Sequence, residues 1–264
     1  MNPPPAYSEE DNTSASNADV PSTSESDDPY SFLSIFDTVF LIDDSGSMSW
    51  YGLCGWIEAR NALKAIAPVC TRYDADGVDI HFLNSESSFQ NVKSAERVQQ
   101  IFDQVRPTGY TPTGRRIHEI LSPYVTTFEI AARFARAGPD STGVKPRILI
   151  VITDGVPDKE PDLEGVIRKL ARRLDDADAP VHQLGIQFFQ VGADRGATEA
   201  LNRLDDGIEG VRDMVDTVTF DTYAEAYCEV SGQGGRRALT AEGIMKAVLG
   251  SVSRRLDRKY LPRA

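Results

Sequence analysis

The chain has 264 residues, 41% of them hydrophobic, and a formal net charge of −12. That is enough for one α/β domain with a tail, and no run approaches the ~20 consecutive apolar residues of a membrane helix. So negative a chain repels phosphate backbones, which disfavours nucleic acid as a partner.

The charge is uneven. Residues 1–30 hold Glu9, Glu10, Asp11, Asp19, Glu25, Asp27 and Asp28 with no Lys or Arg, which leaves −5 for residues 31–264. This Pro/Ser-rich segment has almost no apolar content to offset the entropy of ordering and reads as a disordered acidic tail. Met1-Asn2-Pro3-Pro4-Pro5 has neither the basic region nor the apolar run of a signal peptide. Cys54, Cys70 and Cys228 are odd in number and form no CxxC, which suits free thiols in a reducing compartment. The expectation is a cytoplasmic protein.

Structure begins near residue 36. Phe36–Ile42 reads as a buried strand. A helix follows over residues 55–73, with Trp56, Ala59, Leu63, Ile66, Ala67 and Cys70 at three- and four-residue spacing. Val78, Ile80 and Phe82 alternate in a strand over Gly77–Asn84. A short strand at Phe89–Lys93 precedes a helix marked by Val98, Ile101, Phe102 and Val105. Ile117, Ile120, Leu121, Tyr124 and Phe128 define the next helix, with a kink expected at Pro123. Ile148–Ile152 is wholly apolar, as in a strand buried on both faces. Leu163, Val166, Ile167, Leu170 and Leu174 mark a helix, Leu184–Val191 a strand, Ala197–Leu204 a helix and Met214–Phe220 an edge strand. After the glycine-rich connection Gly232–Arg237, a last helix is expected over Leu239–Arg258, its terminal cations favourable to the helix dipole. Such alternation implies an α/β fold with a doubly wound, mostly parallel sheet and helices on both faces.

In such sheets, sites form beyond the C-terminal ends of the strands. The first strand runs into Asp43-Asp44-Ser45-Gly46-Ser47, and Ile148–Ile152 runs into Thr153-Asp154-Gly155. The loop Gly109-Tyr110-Thr111-Pro112-Thr113-Gly114 opens a helix between them. Asp43, Ser45, Ser47, Thr111 and Asp154 are hard oxygen donors, which suit Mg²⁺, Mn²⁺ or Ca²⁺ rather than Zn²⁺. Two carboxylates roughly neutralise a divalent ion and leave it able to take an anionic ligand from outside. Asp-x-Ser-x-Ser alone is a weak signal; the three loops jointly are far rarer.

This constellation resembles the von Willebrand factor A family, which shares its fold with integrin I domains. The family's metal-ion-dependent adhesion site, DxSxS…T…D, falls on Asp43, Ser45, Ser47, Thr111 and Asp154, and the likeness covers residues 36 to about 257. The resemblance implies a Rossmann-like six-stranded sheet with one short antiparallel edge strand, assigned to Phe89–Lys93. It also implies Mg²⁺ held directly by Ser45, Ser47 and Thr111, and partly through water by Asp43 and Asp154. The implied function is capture of an Asp or Glu of a partner protein by a domain spanning residues 31–264, not catalysis. Asp44, Trp50, Tyr51 and Tyr110 are candidate rim residues.

A Mg²⁺-dependent hydrolase would use Asp43 as nucleophile or base. Phosphoryl transfer of the Asp-x-Asp type wants a carboxylate where Ser45 stands, and a cation near the phosphate, yet the site loops have none before Arg115. Pro4-Pro5-Ala6-Tyr7 matches the PPxY pattern read by WW domains, so an adaptor that recruits a WW-domain protein such as a ubiquitin ligase is an alternative. His81, His118 and His182 are dispersed and read as structural. A peptide of residues 1–15 is expected to bind an isolated WW domain through Tyr7. Fluorescence anisotropy checks this, and unchanged affinity of the Tyr7→Ala peptide across a panel of PPxY-binding WW domains removes the adaptor reading.

Overall fold

Six strands make one sheet in the order β3-β2-β1-β4-β5-β6. The structure, a computed structural model, describes residues 34–74, 76–192, 194–205 and 208–218, without the side chains of 51–54. The tail with Pro4, Pro5 and Tyr7, Cys228, the Gly232–Arg237 connection and the expected last helix lie outside the described residues.

The strands are β1 (Asp37–Ile42), β2 (Val78–Phe82), β3 (Phe89–Val92), β4 (Arg147–Thr153), β5 (Leu184–Gln190) and β6 (Val215–Val218). All neighbours pair in parallel except β3, which runs antiparallel to β2 at one edge. The helices are α1 (Trp50–Tyr73), α2 (Ala95–Gln104), α3 (Thr113–Phe134), α4 (Leu163–Asp176) and α5 (Arg195–Asp205). The chain leaves β1 toward β2 on one side and returns to β4 on the other. The C-terminal ends of β1 and β4 therefore flank a topological switch point, where open α/β sheets form their clefts.

Strand alternation divides the core in two. Phe40, Ile42, Ile150 and Ile152 point to a layer with Trp56, Leu63 and Ile66 of α1 and Ile101 and Phe102 of α2. Val39, Leu41, Leu149 and Val151 point the other way, to Ile117, Leu121 and Phe128 of α3 and Ile167, Leu170 and Leu174 of α4. Successive side chains leave a strand on opposite faces, so a central strand covered on both sides must be apolar at nearly every position. In β4 all residues after Arg147 are buried. At the N-terminal edge of the sheet, the Arg147 guanidinium bonds Asp37 Oδ2 at 2.6 and 2.9 Å and lies 4.5 Å over the Tyr124 ring.

The largest departure from the expected elements is α1, which starts at Trp50, ahead of residue 55. The helix is entered through a 3-10 turn over Gly46–Ser49. Glycines at 52 and 55 weaken helix propensity there. Gly55 has a packing reason: a Cβ on it would come 3.1 Å from Met48 Sδ and 3.7 Å from Asp154 Oδ2. Helix α3 continues across Pro123, with the Thr127 hydroxyl donating to the Pro123 carbonyl at 3.0 Å. Helix α1 likewise contains Pro68. No helix among the described residues is long and apolar enough to cross a membrane.

Phe188 in β5 is fully buried between the sheet and its helices. Phe188→Ala is expected to lower unfolding free energy by roughly 3–5 kcal/mol through lost burial and a residual cavity, read as a lower midpoint in urea denaturation.

Candidate metal centre

The end of β1 turns a carboxylate inward. Asp43 N–H continues the ladder by donating to the Ile152 carbonyl at 2.8 Å. Its side chain is wholly buried. Oδ1 accepts the Ser45 N–H at 2.8 Å, and Oδ2 accepts the Thr153 hydroxyl of β4 at 2.6 Å. The Ser45 and Ser47 hydroxyls lie 3.1 Å apart. Ser47 in turn donates to Asp154 Oδ1 at 2.6 Å. Thr111 arrives from the α2–α3 loop. A Cβ on Gly155 would meet Thr111 Oγ1 at 3.5 Å and Ser47 Oγ at 3.7 Å, so both hydroxyls flank the same glycine. All five residues singled out in the sequence thus gather at one corner of the sheet.

The electrostatics there are one-sided. Burial pushes the Asp43 carboxyl up to about 6, against the bonds from Ser45 and Thr153 that stabilise its charge, with Asp154 adding to the rise. Asp154 is also raised, by burial first, with the Ser47 bond opposing and Asp194 contributing. Among the ion pairs of the described residues, none supplies a Lys or Arg to either carboxylate. Two partly desolvated carboxylates with three hydroxyls and no basic partner fit a hard cation. The described residues hold no group of three or more His, Cys, Asp or Glu suited to a metal, so any ion at this corner depends on the Ser and Thr oxygens.

The loops are braced by contacts the sequence did not reveal. Gly46 N–H donates to the Gly109 carbonyl at 3.1 Å, and Thr108 N–H to the Asp44 carbonyl at 2.6 Å. Those two bonds lay the Thr111 loop along the serine loop. Asp158 N–H donates to the Thr111 carbonyl at 2.9 Å, which ties in the β4–α4 loop. Gly109 has φ +91°, and a Cβ there would sit 2.7 Å from Asn84 Oδ1, so this turn needs glycine.

Asp44 corrects a rim assignment. It is 1% exposed, and its carboxylate accepts the N–H groups of Asn84 at 2.7 Å and Ser85 at 2.9 Å. Asn84 Nδ2 then donates to the Tyr110 carbonyl at 2.8 Å. Asp44 is a brace between the β2 exit and the Thr111 loop. Trp50 and Tyr110 are exposed, at 65% and 81%; the Tyr51 side chain lies outside the described residues. His81 is held neutral near pH 7, since burial, then Arg116 and Arg147, lower it to about 4. The Cys70 thiol is buried and pushed up to about 12 by that burial and by Asp74, which makes it unreactive.

A sheet with this strand order and these loops defines a class, and the von Willebrand factor type A domain matches residues 37–222. The chain belongs to that family. Similar solved structures include proximal thread matrix protein 1 from the mussel byssus, at 16% identity and TM-score 0.39, covering 70% of this chain and 44% of that one. The same protein with a zinc-occupied MIDAS motif matches at 16% identity and TM-score 0.39, over 74% of this chain and 46% of that one. The pilus adhesin SpaC from Lactobacillus rhamnosus GG, in an open conformation, matches at 15% identity and TM-score 0.39, over 74% of this chain and 29% of that one. The chain spans less than half the length of each. No curated protein matches the chain.

The brace is open to test. Asp44→Ala leaves the Asn84 and Ser85 N–H groups without their acceptor and is expected to cost roughly 2–4 kcal/mol. Urea denaturation measures it, and a loss no greater than that of an exposed Asp→Ala substitution removes the structural role.

Proposed function

We propose that this chain is a divalent-metal-dependent protein-binding module that captures an acidic group of a partner at Asp43, Ser45, Ser47, Thr111 and Asp154. The observation that carries the reading is the gathering of one buried and one half-buried carboxylate, both held above the usual carboxylate range by desolvation, with three hydroxyls at the β1/β4 corner. Ser45, Ser47 and Thr111 would hold Mg²⁺ directly, with Mn²⁺ or Ca²⁺ as alternatives, and Asp43 and Asp154 would hold its waters. When bound, the ion supplies a Lewis-acidic position that an outside carboxylate can fill. The residues' own part is to converge from three braced loops and hold the hydroxyl oxygens in place.

Asp43 favours binding over catalysis. Both its oxygens accept short hydrogen bonds and the residue has no exposed surface. A carboxylate nucleophile needs an open approach to its substrate. In this reading residues 31–264 form the domain and residues 1–30 a tail. Pro4, Pro5 and Tyr7 would add recruitment of a WW-domain protein, and the chain acts without leaving the cytoplasm.

The wild-type chain is expected to bind one Mg²⁺ or Mn²⁺, and Asp154→Ala to weaken that binding at least tenfold. Titration calorimetry on both proteins decides it; equal metal binding would sink the assignment.

A further inference from the structure

Each of the three loops that gather the oxygens also carries one exposed, large apolar side chain. Trp50 follows the 3-10 turn containing Ser47 and is 65% exposed. Tyr110 directly precedes Thr111 and is 81% exposed. Val156 stands two residues after Asp154 and is 50% exposed. With consecutive Cα atoms 3.8 Å apart, each lies within about 4–11 Å of chain, Cα to Cα, from a residue that bears one of the oxygens.

These positions are held by the scaffold. Tyr110 is anchored by its carbonyl to Asn84. Val156 packs at the start of α5, where its Cγ2 lies 3.2 Å from the place a Cβ on Gly196 would take. Trp50 begins a 24-residue helix. Scattered exposed apolar residues are ordinary on a protein surface; here one stands on each of the three segments that bring the oxygens together.

We propose that Trp50, Tyr110 and Val156 form an apolar collar that selects a partner protein on which a single Asp or Glu stands among apolar side chains. The proposal rests on the metal-dependent reading above. Residues 31–264 carry a net −5, and among the described residues no Lys or Arg pairs with Asp43 or Asp154, so a tract of acids meets a mildly repulsive surface beyond the one carboxylate the site takes. A free small acid covers none of the collar. Only an isolated acid with apolar flanks meets both the centre and its surround, and aromatic side chains in such a ring carry most of the binding energy.

The test pans the full chain, with Mg²⁺, against peptides of fixed central Glu and random flanks. Enrichment of Leu, Ile, Phe, Met and Trp at the flanks is expected, lost in EDTA. Trp50→Ala and Tyr110→Ala are expected to weaken the best peptide about tenfold, Val156→Ser about threefold, and Trp50→Phe to restore most of the Trp50 loss. Mg²⁺ calorimetry on every variant identifies damage to the metal site. Acidic or polar flanks, full competition by acetate, or alanine variants that bind like wild type overturn the collar while leaving the metal assignment standing. Absence of any enriched peptide from a chain that binds Mg²⁺ does the same. Binding that persists in EDTA overturns both.

Discussion

Asp43 and Asp154 follow adjacent parallel strands, the first buried and the second half-buried, with Asp154 raising Asp43 and with Thr153 and Ser47 as their hydroxyl partners. A group that must lose water to take this place is costly in its charged form, and two such groups side by side are costlier. Much of the surrounding structure answers that cost. The strand ends deliver N–H and O–H donors to Asp43, the serine pair bridges toward Asp154, and Gly155 leaves room for two hydroxyls. A divalent cation would remove the remaining imbalance without a basic side chain.

Convergence of the three loops depends on backbone bonds more than on side chains. The Gly109 and Thr111 carbonyls and the Asp44 carbonyl take N–H groups from neighbouring loops. Such bonds order the corner in advance, so less freedom would be lost on binding a partner. Asp44 and Asn84 extend the same bracing to the β2 exit. The corner is thus one unit, although its pieces come from residues 43–47, 84–85, 108–113 and 153–158.

The apolar runs made the sheet legible, because a strand covered on both faces admits few polar residues. Helix phases were legible for the same reason, from Ile117, Leu121 and Phe128 or Ile167, Leu170 and Leu174. The gathering of Asp43, Ser45, Ser47, Thr111 and Asp154 could be read because each lies in a segment that follows a strand or leads into a helix. The start of α1 could not, since Gly52 and Gly55 argue against helix locally and the close approach of Met48 and Asp154 to Gly55 is a tertiary fact. Asp43 and Asp44 are chemically identical in the sequence; only the alternation of side chains at the strand end sends one to the site and the other to Asn84 and Ser85. Bonds to the Gly109 and Thr111 carbonyls leave no residue signature at all.

The Arg147–Asp37 pair, seen first as a closure of the far edge of the sheet, acts as the second of two pins on one strand pair. Asp37 bonds Arg147 and Asp43 bonds Thr153, both across a separation of 110 residues. The β1/β4 pairing keeps that same offset from Asp37↔Arg147 to Ile42↔Ile152. Two polar links at opposite ends of otherwise greasy strands work like the matched marks of a vernier. Any slip of β4 along β1 separates both pairs together, stranding a buried carboxylate at one end and a guanidinium at the other. Apolar strands alone would tolerate a two-residue slip with every face still correct; this pair of links does not.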